Sequence, residues 1–343
     1  MSAGIDGIVI TSLPNIRYLS GFSGSNAALF VSSDEPSRDI ICTDGRYLTQ
    51  VHEQCPDLPV HQDRSCALGL AASLVSSGVR KIGIEDTLST AHTHELAKSV
   101  ALVPTSGLVE LLRAVKDDGE LELLTRACSI TAQAMAQLFV ELRVGMTEIN
   151  IARRLEQLFG ELGADDRAFE TIVASGPASA IPHHQPTTRS LAAGDLLVVD
   201  AGAMVLGYHA DMTRTVVVGV DPNPWQVQIH GLVWAAQQAG IKACTPGAEL
   251  SAIDFAARAE IAAAGFGPAF GHGLGHGVGL EIHEAPMINA RSVGSICLNT
   301  PVTIEPGIYL PDQGGVRIED TLVVESSANR VLTNAPSELV VVG

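Results

Sequence analysis

Four carboxylates stand where an apolar strand should not hold one. Asp200 ends LLVVD, Asp211 lies inside HADMTRTVVV, Glu305 ends TPVTIE and Glu319 ends GVRIE. A carboxylate in a buried strand is costly unless it is paired, hydrogen-bonded or bound to a metal. Taken singly, each also reads as a strand-end residue reaching solvent. Taken together, the four restrict the fold to one in which their strands converge on a shared cation.

A glycine-rich stretch supplies the complementary chemistry. Gly271 to Pro286 reads GHGLGHGVGLEIHEAP and carries His272, His276 and His283 among five glycines. Neutral imidazole ligates metals and serves in acid–base chemistry, and glycine lets backbone approach a ligand closely. With His276, the four carboxylates form a five-donor set: Asp200, Asp211, His276, Glu305 and Glu319. Oxygen donors with one imidazole suit two divalent ions of intermediate hardness, such as Mn²⁺, better than a tetrahedral zinc site. Carboxylates bridge two ions held roughly 3.5–4 Å apart, and a bridging hydroxide can then attack a carbonyl.

Composition excludes other classes. A chain of 343 residues exceeds one ordinary core, which predicts two domains. A net charge of −17 repels phosphate backbones and argues against nucleic-acid binding. No basic amphipathic run and no apolar run of membrane-span length argues for a membrane partner. The six cysteines show no CxxC pair or zinc-finger spacing. They read as reduced thiols of a reducing compartment. With no signal-peptide pattern at the N-terminus, the expected location is cytoplasmic.

Along the first third, short apolar strands at 7–11, 27–31, 39–43 and 81–85 alternate with helices at 67–77 and 92–99, the pattern of a layered α/β domain. Ser12 to Asn15 reads as a turn, and Leu102 to Gly107 as a Pro/Gly-punctuated connection. The Asp117-Asp118-Gly119 break places the domain boundary between 1–116 and 117–343. Helical periodicity follows at 120–142, and Thr147 reads as the N-cap of a helix over 148–162. Asn223 with Pro224 starts another helix. Ser251 with Asp254 resembles a capping box. Residues 300–305, 315–319 and 321–325 read as strands of one antiparallel sheet.

The motifs VVDAGA, ADMTRT, GHGLGHGVGLEIHEAP, IEPGIY and GVRIEDT resemble those of the pita-bread metallopeptidases, which include methionine aminopeptidase, prolidase and aminopeptidase P. SGPASAIPHHQPT is similar to that family's first histidine loop. GFSGSNAALFV, TDGRYLTQ and LVPTSGLVELLRAVKDDGE resemble the creatinase/prolidase N-terminal domain, which methionine aminopeptidases lack. The resemblance spans nearly the whole chain. It implies an α/β creatinase-like N-terminal domain followed by an α+β pita-bread catalytic domain, and a homodimer.

The resemblance also implies roles. Asp200 binds one metal with both oxygens, Asp211 and Glu319 bridge, and His276 and Glu305 hold the second metal. Glu305 shuttles the proton of the bridging hydroxide, so the catalytic set is His183, His283 and Glu305. His283 steadies the scissile carbonyl or the oxyanion, and His183 meets the substrate or the leaving proline nitrogen. His272 lines the proline pocket. Arg317 steadies the site or binds a substrate carboxylate. His184, beside His183, reads as a bystander.

The activity implied is hydrolysis of the bond before proline, a tertiary amide without an N–H, by an Xaa-Pro dipeptidase. The alternative is an Xaa-Pro aminopeptidase acting on longer peptides. The ions implied are Mn²⁺ first, with Co²⁺ or Zn²⁺ as substitutes. A metal-free creatinase-like hydrolase is disfavoured by the complete donor set. A non-catalytic pita-bread binding module is disfavoured by that set and by the acidic charge.

Overall fold

A computed structural model describes residues 4–343. The chain forms two compact units, one ending at Leu112 and the other running from Arg113 to Gly343. The division falls after Leu112 rather than after Lys116. Arg113 and Lys116 are both buried against Glu284 of the second unit, which draws this segment into it.

In the first unit a six-stranded sheet runs in the order Val60–Gln62, Ile40–Thr43, Ala27–Ser32, Gly7–Ile10, Lys81–Glu85, Ala101–Thr105. Two readings change here. Leu13–Ser20 is a helix, not a turn at Ser12–Asn15. Pro14 sits in its first turn, where a missing N–H costs nothing, and Gly21 closes it in the left-handed conformation at φ 79°. Residues 101–105 form a strand rather than a connection. It lies at the sheet edge, where Pro104 is tolerated because one side of the strand needs no ladder donor.

The second unit is built on a four-stranded and a five-stranded sheet. The four-stranded sheet has the order Val341–Val342, Met212–Val218, Leu196–Ala201, Ile172–Ser175. Helices Asp118–Glu141 and Glu148–Glu161 pack in one core with Leu197, Val199 and Ala201. Helices Pro224–Ala243 and Leu250–Ala263 pack in a second core that takes Leu196 and Val217. Both faces of these strands are therefore covered, which explains their unbroken apolar runs. The capping box read at Ser251 is absent, since the helix starts two residues earlier, with Glu249 in place of Ser251 as N-cap. Asp254 instead pairs with Arg258 four residues on.

The five-stranded sheet runs Glu284–Ile288, Gly275–Gly277, Pro301–Ile304, Asp320–Val323, Arg330–Val331. Gly314–Arg317 does not join it, contrary to the one-sheet expectation. It pairs with Gly307–Leu310 as a separate hairpin, so the chain changes sheets between Arg317 and Asp320.

Register does the positioning. Thr213 faces Asp200 across the first sheet. Ile304 faces Asp320 across the second, which brings Glu305 and Glu319 to the same end of adjacent strands. His276 lies on a strand that passes so close to its neighbour that a Cβ on Gly275 would sit 1.9 Å from the Thr303 carbonyl oxygen. Only glycine fits there, because the obstacle is backbone. Gly275→Ala is expected to lower stability by at least ~3 kcal/mol through forced strand separation. Chemical denaturation checks this, and wild-type stability in the variant would refute the close approach.

Candidate metal centre

The five donors meet at the floor of one cleft in the second unit, of about 1040 Å³. Donor atoms of Asp211, His276 and Glu319, all buried, lie within 4.8 Å of one another. His276 Nε2 is 3.6 Å from Asp211 Oδ2 and 3.5 Å from Glu305 Oε1. His276 Nδ1–H donates to the Gly277 carbonyl at 3.0 Å, which leaves Nε2 with its lone pair facing the carboxylates. That is the tautomer a metal ligand requires. Burial lowers the His276 imidazole to about 4, so it is neutral.

The carboxylates oppose one another. Burial, then Glu319, Asp200 and Glu305, push Asp211 well above the carboxylate range. Burial, then Glu305 and Asp200, do the same to Glu319. Burial pushes Glu305 up to about 8, with Arg317 pulling it down and Asp200 pushing it up. Asp200 Oδ1 is buried with no hydrogen-bond partner among the described residues. An orphaned carboxylate oxygen, a neutral imidazole aimed inward and mutually repelling acids together form a donor set that fits divalent ions.

Around the donors, hydroxyls and one guanidinium fix orientations. Thr213 Oγ1 donates to Glu319 at 2.7 Å, and Thr303 Oγ1 lies 3.4 Å from Glu305. Arg317 is buried with all three nitrogens engaged: Nε with Thr213, Nη1 with Tyr309 and the Pro182 carbonyl, Nη2 with Asp200 at 2.7 Å. Four of its five N–H groups are thereby committed to protein partners. Burial lowers His272 to about 4. Its Nδ1–H donates to the Gly273 carbonyl, so Nε2 accepts from Tyr309 Oη at 2.9 Å. A directed chain thus runs from Arg317 through Tyr309 to His272.

The remaining histidines line the same cleft. His283 stacks edge-on against His276 with ring centroids 4.4 Å apart. Burial, and then His183, hold it below the ordinary histidine range. His183 is exposed at the wall. His184 is not a bystander: its Nε2 donates to the buried carboxylate of Glu148 at 2.9 Å. Sequence reasoning missed Glu148, Thr213, Thr303 and Tyr309. Thr213 and Tyr309 lay inside the family-like motifs ADMTRT and IEPGIY without being singled out; Glu148 and Thr303 are common residue types in ordinary helix and strand positions.

Comparison with known proteins gives a family. The model of metallopeptidase family M24 matches residues 122–326, and that of the creatinase/prolidase N-terminal domain matches residues 1–115. The peptidase YqhT of Bacillus subtilis, named as uncharacterised, is 37% identical over 98% of this chain and 96% of its own. The structure named Xaa-Pro dipeptidase from Bacillus anthracis superposes with a TM-score of 0.94 at 37% identity, covering 99% of this chain and 96% of that one. The structure named X-Pro aminopeptidase from Thermotoga maritima does so with a TM-score of 0.89 at 33% identity, covering 99% and 98%.

Like-charge crowding has a measurable consequence. Asp211→Asn is expected to stabilise the metal-free protein by ~1–3 kcal/mol, because burial and the neighbouring acids raise Asp211 well above its unfolded value, and asparagine does not carry that cost at neutral pH. Mn²⁺ should raise the melting temperature of the wild type and not of the variant. A metal-free variant less stable than metal-free wild type would show that the carboxylates are already balanced without ions.

Proposed function

The chain belongs to metallopeptidase family M24, with a creatinase/prolidase N-terminal domain, and from that premise we propose that it is an Xaa-Pro dipeptidase working with two divalent ions, Mn²⁺ first. The observation that carries this reading is the buried cluster of Asp211, His276 and Glu319, with Glu305 3.5 Å from His276 and the orphaned Asp200 Oδ1 in the same cleft. Asp200, Asp211, His276, Glu305 and Glu319 would hold the ions. When bound, the ions supply an activated water and polarise the scissile carbonyl.

The other steps fall to side chains. Glu305, at the cleft beside His276 Nε2, takes the proton from the attacking water as its carboxylate and passes it towards the leaving nitrogen. His283 donates a hydrogen bond to the oxygen on which charge develops. His183, across the cleft, meets the leaving proline nitrogen. Phe270 and His272, in edge-on contact with centroids 5.0 Å apart, line the same cleft and give a proline ring an aromatic wall to meet. Such a wall suits a residue that has no N–H to satisfy.

A second reading is an Xaa-Pro aminopeptidase. It is favoured by the open cleft of about 1040 Å³, which extends beyond the donors to Arg153 and Arg291, and by the name of the Thermotoga maritima neighbour.

Product formation from Ala-Pro and from Ala-Pro-Ala, each with Mn²⁺ and with chelator, tests both. Cleavage of Ala-Pro alone is the expected result. Cleavage of Ala-Pro-Ala makes the enzyme an aminopeptidase. Activity that survives exhaustive chelation, or none on either peptide with metal bound, refutes the metallopeptidase mechanism.

A further inference from the structure

His183 makes no hydrogen bond of its own among the described residues. Its place at the cleft wall is therefore set by its backbone, and that backbone is held from behind. Glu148, the first residue of helix Glu148–Glu161, is fully buried and turns its carboxylate towards the loop that carries His183. Oε1 accepts from the Ser175 backbone N–H at 2.9 Å and the Ser175 hydroxyl at 2.6 Å. Oε2 accepts from His184 Nε2 at 2.9 Å, the Thr187 N–H at 2.9 Å and the Thr187 hydroxyl at 2.7 Å. One carboxylate thus closes both ends of the segment and grips the residue beside His183. Burial alone would raise this acid, but its donors hold it below the ordinary glutamate range, so the clasp is ionic and each bond is charge-assisted.

We propose that Glu148 is a positioning residue for peptide hydrolysis: through Ser175, His184 and Thr187 it sets the loop that presents His183 to the substrate. The proposal rests on the reading of His183 as a substrate contact. The clasp is carboxylate-specific. Glutamine would set an NH₂ group against two or three N–H and O–H donors, so that one end of the loop is released.

Steady-state kinetics on Ala-Pro with saturating Mn²⁺ provide the test, with metal content measured for every variant. Glu148→Gln should lower kcat on the order of 10–100-fold through misplacement of His183, with KM changed less than about threefold and two ions still bound. The double variant Glu148→Gln/His183→Ala should be no slower than His183→Ala, because both changes remove one contribution. Multiplying losses, or an unchanged kcat per folded molecule, overturn the proposal.

Should Glu148→Gln fail to fold, the half-buried His184 decides. His184→Leu should lose kcat, and His184→Gln, which keeps a donor in reach of Glu148, should recover most of it. Equal loss in both overturns the proposal. Amide hydrogen exchange across 176–187 gives a readout independent of activity. It should quicken in the Glu148 and His184→Leu variants and nowhere else in the second unit, and unchanged exchange overturns the clasp. If the wild type cleaves neither peptide, the reading of function fails while the exchange result still decides whether Glu148 holds the loop.

Discussion

Repulsion among Asp200, Asp211, Glu305 and Glu319 is the constraint to which the second unit answers. With all four ionised, the pocket holds four negative charges, and Arg317 is the buried cation that touches one of them. One divalent ion would leave the pocket negative. Two carry it past neutrality by a single charge, which one deprotonated water or one substrate carboxylate cancels. Stoichiometry therefore follows from charge as well as from donor count. A soft framework would relieve the repulsion by letting the strands drift apart. Strands packed between two apolar cores cannot drift, and the hydroxyls of Thr213 and Thr303 further restrict the carboxylate rotamers.

His183, His272 and His283, the other cleft histidines discussed above, are held in a different way. Each lies on a loop, and each loop is tied by a buried ionic contact away from the donors. Glu148 ties the loop of His183. Asp254, fully buried, pairs in bidentate fashion with Arg258, whose guanidinium also donates to the Phe270 and His272 carbonyls. Glu284, next to His283, is gripped by Lys116 and by Arg113, the latter at 2.5 Å. Loops lack the ladder that fixes a strand, so charge-assisted bonds replace it. Breaking any one would leave an unpaired buried charge, which resists local opening.

Most of the catalytic unit was legible in the sequence because its signals are local. A carboxylate at the end of an apolar strand and a histidine among glycines are anomalies within a few residues. What stayed hidden is relational. Glu148 looks like an ordinary first-turn acid after an N-capping threonine, and nothing near it announces Ser175 or Thr187. Gly314–Arg317 alternates like its neighbours, and only the bend at Ile318–Glu319 puts it in a separate hairpin. The edge position of Ala101–Thr105 decided whether Pro104 ended a strand or sat in one. Sequence spacing carries no information about which strand lies outermost.

Arg317 is committed to the centre through four hydrogen bonds. Its guanidinium holds Asp200, Thr213 and Tyr309 at once, so any change that freed it to read a substrate would also disturb a metal-facing carboxylate. Arg153 and Arg291 line the same cleft, are exposed, and make no ion pair among the described residues. One arginine of this cleft is thus tied to the metal-facing carboxylates and buried among strands, while two others stand on the exposed wall without that tie.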